Sequence, residues 1–104
     1  SYEADQHAPI ARKEGMSDAQ ISALEDWEAS ALFDQQQRAV LKYCDVMTRD
    51  IQVPDPVFDA IRPFFDERGI VELTATIASY NMVSRFIEAL QIHSVDPTHG
   101  EHHA

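Results

Sequence analysis

Two side chains near the start of the sequence could together move a proton. Glu3 and His7 lie in the segment SYEADQHAPIARKEG, whose residue pattern is helical, so they stand one turn apart on one face. Small apolar residues share this face, and we therefore expect it to turn inward. A carboxylate beside an imidazole can hold one ring nitrogen and leave the other nitrogen to exchange a proton. The pair is a candidate general acid–base site.

The same spacing has two other interpretations. A carboxylate and a histidine at positions i and i+4 are common in helices, where they merely stabilise the helix or an interface. A metal site is the third interpretation, but such a site needs three or four ligands, and Glu3 and His7 supply two. The other histidines lie in or near the C-terminal tail: His93, His99, His102 and His103. We therefore predict that the chain holds no metal ion.

Cys44 and Arg85 are polar or reactive side chains on predicted apolar helices. Cys44 lies on the apolar stripe of its predicted helix, without a histidine or basic residue at neighbouring positions, which favours a small core residue over a reactive thiol. Arg85 lies on a mostly apolar helix, one turn after Asn81. Because buried arginines are usually paired, we expect an ion pair with Glu88 or Glu72. The functional alternative for Arg85 is a clamp for a substrate carboxylate.

Five predicted helices position these residues. They cover about residues 1–15, 18–25, 35–50, 56–64 and 66–91. Ser17, Asp34 and Asp66 are predicted N-caps, and Gly15 is predicted to end the first helix. The segment from Trp27 to Leu32 is interpreted as a connector, with Trp27 anchored under the bundle. No alternating apolar and polar run of useful length occurs, so the predicted fold class is all-α.

The last helix has two apolar stripes. One contains Ile70, Leu73, Ile77 and Tyr80, and the other contains Ala75, Ala78, Met82, Phe86 and Leu90. A helix that is apolar on most of its circumference is expected inside a bundle. At about 1.5 Å per residue it would be nearly 40 Å long. Since a domain of this size cannot bury such a helix alone, we expect partner subunits or further chain.

Composition excludes several classes of protein. The 104 residues predict one domain, residues 1–93, followed by a polar tail, residues 94–104, that we expect to be disordered. Eight Lys and Arg against 18 Asp and Glu give a net charge of −10, which disfavours nucleic acids and anionic membranes as partners. A single cysteine excludes an internal disulfide and fits a cytoplasmic setting. The sequence opens in a helical pattern, so we expect N-terminal helices to be missing.

Three blocks of sequence, in order, resemble a known family. They are YEADQHAPIARKEGMSDAQISAL, WEASALFD and DERGIVELTATIASYNMVSRFIEAL. Together they look like the carboxymuconolactone decarboxylase family, which is related to the AhpD-type alkylhydroperoxidases. The resemblance covers roughly Tyr2 to Ile92. It implies an AhpD-like helical bundle that assembles as a homo-oligomer, either a trimer or a hexamer.

The resemblance also carries implications for the chemistry. AhpD-like enzymes use a Cys-x-x-Cys-x-x-x-His motif on this first helix. His7 matches the motif histidine, Glu3 stands at the second cysteine, and the first cysteine would precede Ser1. A carboxylate cannot form a disulfide or a sulfenic acid, so a Glu–His pair resembles the decarboxylase branch. That branch removes CO2 from a small carboxylated lactone of aromatic catabolism without a cofactor. The resemblance thus implies Glu3 and His7 as catalytic residues; a peroxidase relative or a non-catalytic assembly module are the alternatives.

Overall fold

The computed structural model describes residues 2–92, with only the backbone for residues 2–5. This part of the chain contains five α-helices: α1 (Tyr2–Lys13), α2 (Asp18–Ser22), α3 (Gln35–Arg49), α4 (Asp55–Ile61) and α5 (Glu67–Ala89). Two 3-10 segments, Leu24–Ala29 and Arg62–Phe64, connect them. The all-α prediction with five helices is confirmed. The predicted tail, residues 94–104, lies outside the described residues.

Local sequence signals set the helix ends. Gly15 has a φ of +77°, which a glycine adopts without steric cost, and it ends α1. The backbone N–H of Met16 donates to the carbonyl of Ala11 at 3.0 Å, which gives the hydrogen-bond pattern of a Schellman ending. The side chains of Ser17 and Asp34 accept hydrogen bonds from the backbone of Gln20 and Gln37, respectively, and so start α2 and α3.

The core lies where α1, α3 and α5 meet. One cluster of buried side chains joins α1 to α3, α4 and α5: Ile10, Val40, Tyr43, Cys44, Ile61, Leu73 and Ile77. A second cluster packs α1 and α3 against the chain between them: Ala11, Met16, Leu24, Trp27, Phe33 and Leu41. Helix α1 contributes to both clusters. A residue on its inner face is therefore fixed from two sides.

The segment after α2 is more regular than the sequence suggests. A connector was expected from Trp27 to Leu32, but a 3-10 segment already begins at Leu24 and ends at Ala29. The predicted role of Trp27 as a buried anchor is confirmed, since its side chain is packed with Leu24 and Phe33. The 3-10 segment packs the indole of Trp27 against side chains of α1 and α3.

Helix α5 is buried along one stripe only. Leu73, Ile77 and Asn81 are buried, whereas Met82 is 67 % exposed and Phe86 is 62 % exposed. In the single chain α1 and α3 cover one side of α5, which agrees with the expectation that a domain of this size cannot bury the whole helix alone; what covers the second stripe stays a prediction. No helix among the described residues has the length and apolar character needed to cross a membrane.

Candidate acid–base site

His7 is held by an aspartate from another helix. Its ring is 2 % exposed and lies on α1 where this helix packs on α3. Nε2 of His7 is hydrogen-bonded to Oδ1 of Asp45, which belongs to α3 and is 7 % exposed. Since the aspartate is buried beside the imidazole, it supplies the countercharge when the ring is protonated. The sequence prediction that His7 faces inward is confirmed.

Trp27 fixes the other oxygen of the aspartate. Its indole Nε1–H donates to Oδ2 of Asp45 at 3.1 Å. The indole also meets the His7 ring edge to face, with centroids 6.4 Å apart. Both carboxylate oxygens are thus engaged, and the carboxylate cannot rotate freely. The result is a histidine–aspartate–tryptophan triad assembled from α1, α3 and the 3-10 segment.

Arg38 holds Trp27 in place from the outside. The guanidinium carbon of Arg38 lies 5.4 Å from the indole centroid, within the range of a cation–π interaction. Arg38 also donates to the backbone carbonyls of Glu28 at 2.7 Å and Ser30 at 3.0 Å. These bonds satisfy carbonyls at the end of the 3-10 segment. Arg38 therefore stabilises the loop that carries the indole.

Two buried polar atoms of α1 have no hydrogen-bond partner among the described residues. They are Nδ1 of His7 and Oε1 of Gln6. The Gln6 amide nitrogen donates to Oγ of Ser84 on α5 at 2.6 Å, so within the described part of the chain only its carbonyl oxygen lacks a partner. An unpaired buried atom costs about 1–3 kcal/mol. With Nε2 engaged by Asp45, Nδ1 is the ring atom that can exchange a proton.

Glu3 lies one turn before His7 on α1, as predicted, but its side chain is outside the described part of the structure. Its role stays a prediction. Sequence reasoning missed Asp45, which is 38 positions away from His7. The sequence carried a signal, because Asp45 follows Leu41 by one helical turn and therefore falls on the same face as that apolar residue. An acidic residue on such a stripe indicates a buried partner.

Cys44 is a core residue, as its position on the apolar stripe predicts. It is 1 % exposed, and its thiol contacts the Gln6 carbonyl, with sulfur and oxygen 3.8 Å apart. Burial, with a smaller contribution from the charge of Asp45, raises the pKa of the Cys44 thiol from 9.0 to about 12, although Thr48 opposes the shift. Because the thiolate is the reactive form, this cysteine is a poor nucleophile at neutral pH.

The expected ion pair of Arg85 is wrong. Glu72 pairs with Arg68 instead, and no ion pair links Arg85 to a carboxylate among the side chains that the structure describes. Arg85 donates to the carbonyl of Thr48 near the end of α3, at 2.9 Å. It lines a groove of about 790 Å³ between α3 and α5. His7 lies outside the lining of this groove.

The described side chains around His7 do not form a metal centre. No group of three or more His, Cys, Asp or Glu side chains that could hold a metal ion occurs within the described residues. His7 and Asp45 are joined directly, with Trp27 as the third member, and an indole N–H is only a hydrogen-bond donor. The arrangement supports proton exchange at Nδ1 of His7.

The helical bundle is an AhpD-like fold. It matches, with a TM-score of 0.71, the crystal structure of an Agrobacterium tumefaciens protein described as being of unknown function and as a candidate antioxidant defence protein, AhpD. The two sequences are 28 % identical, and the match covers 88 % of this chain and 65 % of that one. The predicted fold type is confirmed.

Two curated proteins are similar in sequence. The uncharacterized protein YnjA of Escherichia coli K12 is 34 % identical over 87 residues, and the uncharacterized protein YdfG of Bacillus subtilis 168 is 27 % identical over 88 residues. The chain spans 46 % of the first relative and 60 % of the second. No protein-family profile matches the chain.

Proposed function

We propose that this domain is a cofactor-independent carboxy-lyase that acts on a small carboxylated lactone, with His7 as the proton donor. The observation that carries the proposal is the buried His7 ring, held at Nε2 by Asp45 and unpaired at Nδ1 among the described residues. A fixed imidazole with one free nitrogen in a desolvated place suits general acid catalysis. The resemblance to the decarboxylase branch supplies the substrate class.

The proposed reaction is redox-neutral. The bond between the substrate carbon and its carboxylate breaks and releases CO2, and the electron pair moves into the unsaturated lactone as an enolate. His7 then delivers the proton from Nδ1 to carbon, and water restores that proton. Asp45 supplies the countercharge for the imidazolium. Because Asp45 is bonded to Nε2, Nδ1 points away from the aspartate. Glu3, one turn away on α1, is proposed to position the His7 ring and to share in the countercharge to the imidazolium.

Antioxidant activity is the second candidate, because the Agrobacterium tumefaciens neighbour is described as a candidate antioxidant defence protein. Thiol chemistry on this chain would have to use Cys44, since the sequence contains one cysteine. The thiol is buried, and its pKa is raised to about 12. The structure of the thiol therefore favours the lyase proposal over a peroxidase that uses Cys44.

An activity comparison on the intact protein separates the two candidates. CO2 release from 4-carboxymuconolactone is measured beside reduction of cumene hydroperoxide with a dithiol donor. The lyase proposal expects CO2 release that survives Cys44→Ala and is lost in His7→Gln. If the wild type instead reduces the hydroperoxide and releases no CO2, and Cys44→Ala loses the reduction, the lyase proposal is replaced by the antioxidant function.

We also propose that the protein is a homo-oligomer, a trimer or a hexamer as the resemblance implies. Tyr80, Val83 and Leu90 form an outer face of α5, and each is more than 40 % exposed in the single chain. Burial of apolar area contributes about 25 cal/mol per Å². Light scattering of the intact protein should give a multiple of the monomer mass, and Val83→Glu should reduce it. A wild-type monomer at 100 µM would contradict the proposal.

A further inference from the structure

The groove between α3 and α5 is a separate feature from the His7 site. It is open to solvent and has a volume of about 790 Å³. Its apolar walls come from both helices and the chain after α3: Tyr43, Met47, Val53, Ala78, Met82 and Phe86. Volumes of roughly 300–1,000 Å³ with mainly apolar lining are typical of sites for small molecules.

Most polar groups on the groove wall are already satisfied by one another. The Tyr43 hydroxyl is hydrogen-bonded to Oγ1 of Thr74 at 2.7 Å. The Asn81 side chain accepts from Oγ1 of Thr48 at 3.1 Å and donates to the carbonyl of Met47 at 3.4 Å. These groups therefore offer little to a ligand.

Arg85 is the exception on this wall. A guanidinium has five N–H donors in a rigid fork. One amino group of Arg85 donates to the Thr48 carbonyl at 2.9 Å, and this bond anchors the side chain at the end of α3. Its other donors have no carboxylate partner among the described residues. Asp50 also lines the groove, but no ion pair joins it to Arg85 within the described part of the chain.

We propose that this groove binds a small amphipathic carboxylate, with the carboxylate on Arg85 and the apolar body between α3 and α5. A carboxylate matches the fork of the guanidinium, and such charge-assisted bonds are about twice as strong as neutral ones. The net charge of −10 repels anions over most of the surface, so binding of a carboxylate depends on the local contact with Arg85. The negative charge of Asp50 opposes binding. The site does not depend on the chemistry proposed for His7.

A titration followed by 15N NMR tests the site with 4-phenylbutanoate as the probe and its neutral amide, 4-phenylbutanamide, as the matched compound. The acid should shift the amide signals of groove residues such as Ala78, and bind at least 10-fold more tightly than the amide. Arg85→Gln should weaken binding of the acid at least 10-fold, whereas Asp50→Asn should strengthen it.

Matched variants keep the result specific. Arg68→Gln removes the same charge from the same helix, away from the groove, and His7→Gln removes the proposed proton donor. Both should bind the acid as the wild type does, so failure of the lyase proposal leaves this one standing. Equal binding of the acid to Arg85→Gln and wild type would overturn the proposal. A second result would also overturn it: the acid shifts no amide signals in the groove, and Arg85→Gln lowers the oligomer mass whereas Arg68→Gln does not. A second copy of the chain would then occupy the groove.

Discussion

Replacing Asp45 by asparagine is the most informative change to the triad, because it keeps the shape of the side chain and removes its charge. Asp45 accepts hydrogen bonds from Nε2 of His7 and from Nε1 of Trp27, and it is buried. The asparagine carbonyl can still accept from Trp27. Its amide group instead places two N–H donors where the carboxylate accepted from His7. The imidazolium form of His7 then loses its partner.

The size of the effect follows from these two bonds. A hydrogen bond to a charged group contributes about 1.5–3 kcal/mol, and the bond from Trp27 is largely kept. We therefore expect a loss of about 2 kcal/mol in the free energy of unfolding. For a domain of this size, that corresponds to a fall in Tm of roughly 10 °C. The rate of CO2 release should fall about 100-fold or more, in the range of acid–base contributions.

The measurements are chemical denaturation and initial rates on the intact protein. Asp59→Asn is the matched control, because Asp59 is an exposed acid that pairs with Arg62 on the surface. Removing this acid should change the free energy of unfolding by less than about 0.5 kcal/mol. If Asp45→Asn were no more destabilising than Asp59→Asn and kept the full rate, the proposed role of the triad would be refuted.

Three further predictions concern the indole, the thiol and α5. Trp27→Phe leaves Oδ2 of Asp45 unpaired and should cost about 1–3 kcal/mol, measured by urea denaturation. The pKa of Cys44 is raised from 9.0 to about 12 in the folded chain, so the thiol's contribution to stability is complete below pH 9 and is lost as the pH rises toward 12. The free energy of unfolding of the wild type should therefore fall relative to that of Cys44→Ala across this range. Parallel curves of unfolding free energy against pH would contradict this. Ile77 is buried on α5, and Ile77→Ala should cost about 2–5 kcal/mol in the free energy of unfolding. Val71, an exposed residue of the same helix, is the control, and Val71→Ala should cost less than about 0.5 kcal/mol; equal costs would contradict the burial of one stripe.

Local signals in the sequence were sufficient to predict the helices. Ser17, Asp34 and Asp66 each accept a hydrogen bond from the backbone three residues later, so the starts of three helices depend on residues close in the chain. The left-handed conformation of Gly15 likewise follows from a local requirement. Such features need no knowledge of the tertiary fold.

The site could be predicted only in part, because its partners come together through packing. The inward position of His7 follows from helical periodicity. The choice of Asp45 depends on how α1 crosses α3, and periodicity carries no information on that crossing. The same limit explains Arg85, whose expected partners were on its own helix although it contacts the Thr48 carbonyl. The same holds for α5, because periodicity identifies its apolar stripes but does not show which other element buries each of them.

The lyase account is tested most directly by the initial rate of CO2 release from 4-carboxymuconolactone by the intact protein in wild type, His7→Gln and Cys44→Ala. We expect the rate to fall at least about 100-fold in His7→Gln, with circular dichroism showing an unchanged helical content, and to stay near wild type in Cys44→Ala. A folded His7→Gln variant that releases CO2 at the wild-type rate would contradict the assignment of His7 as the proton donor.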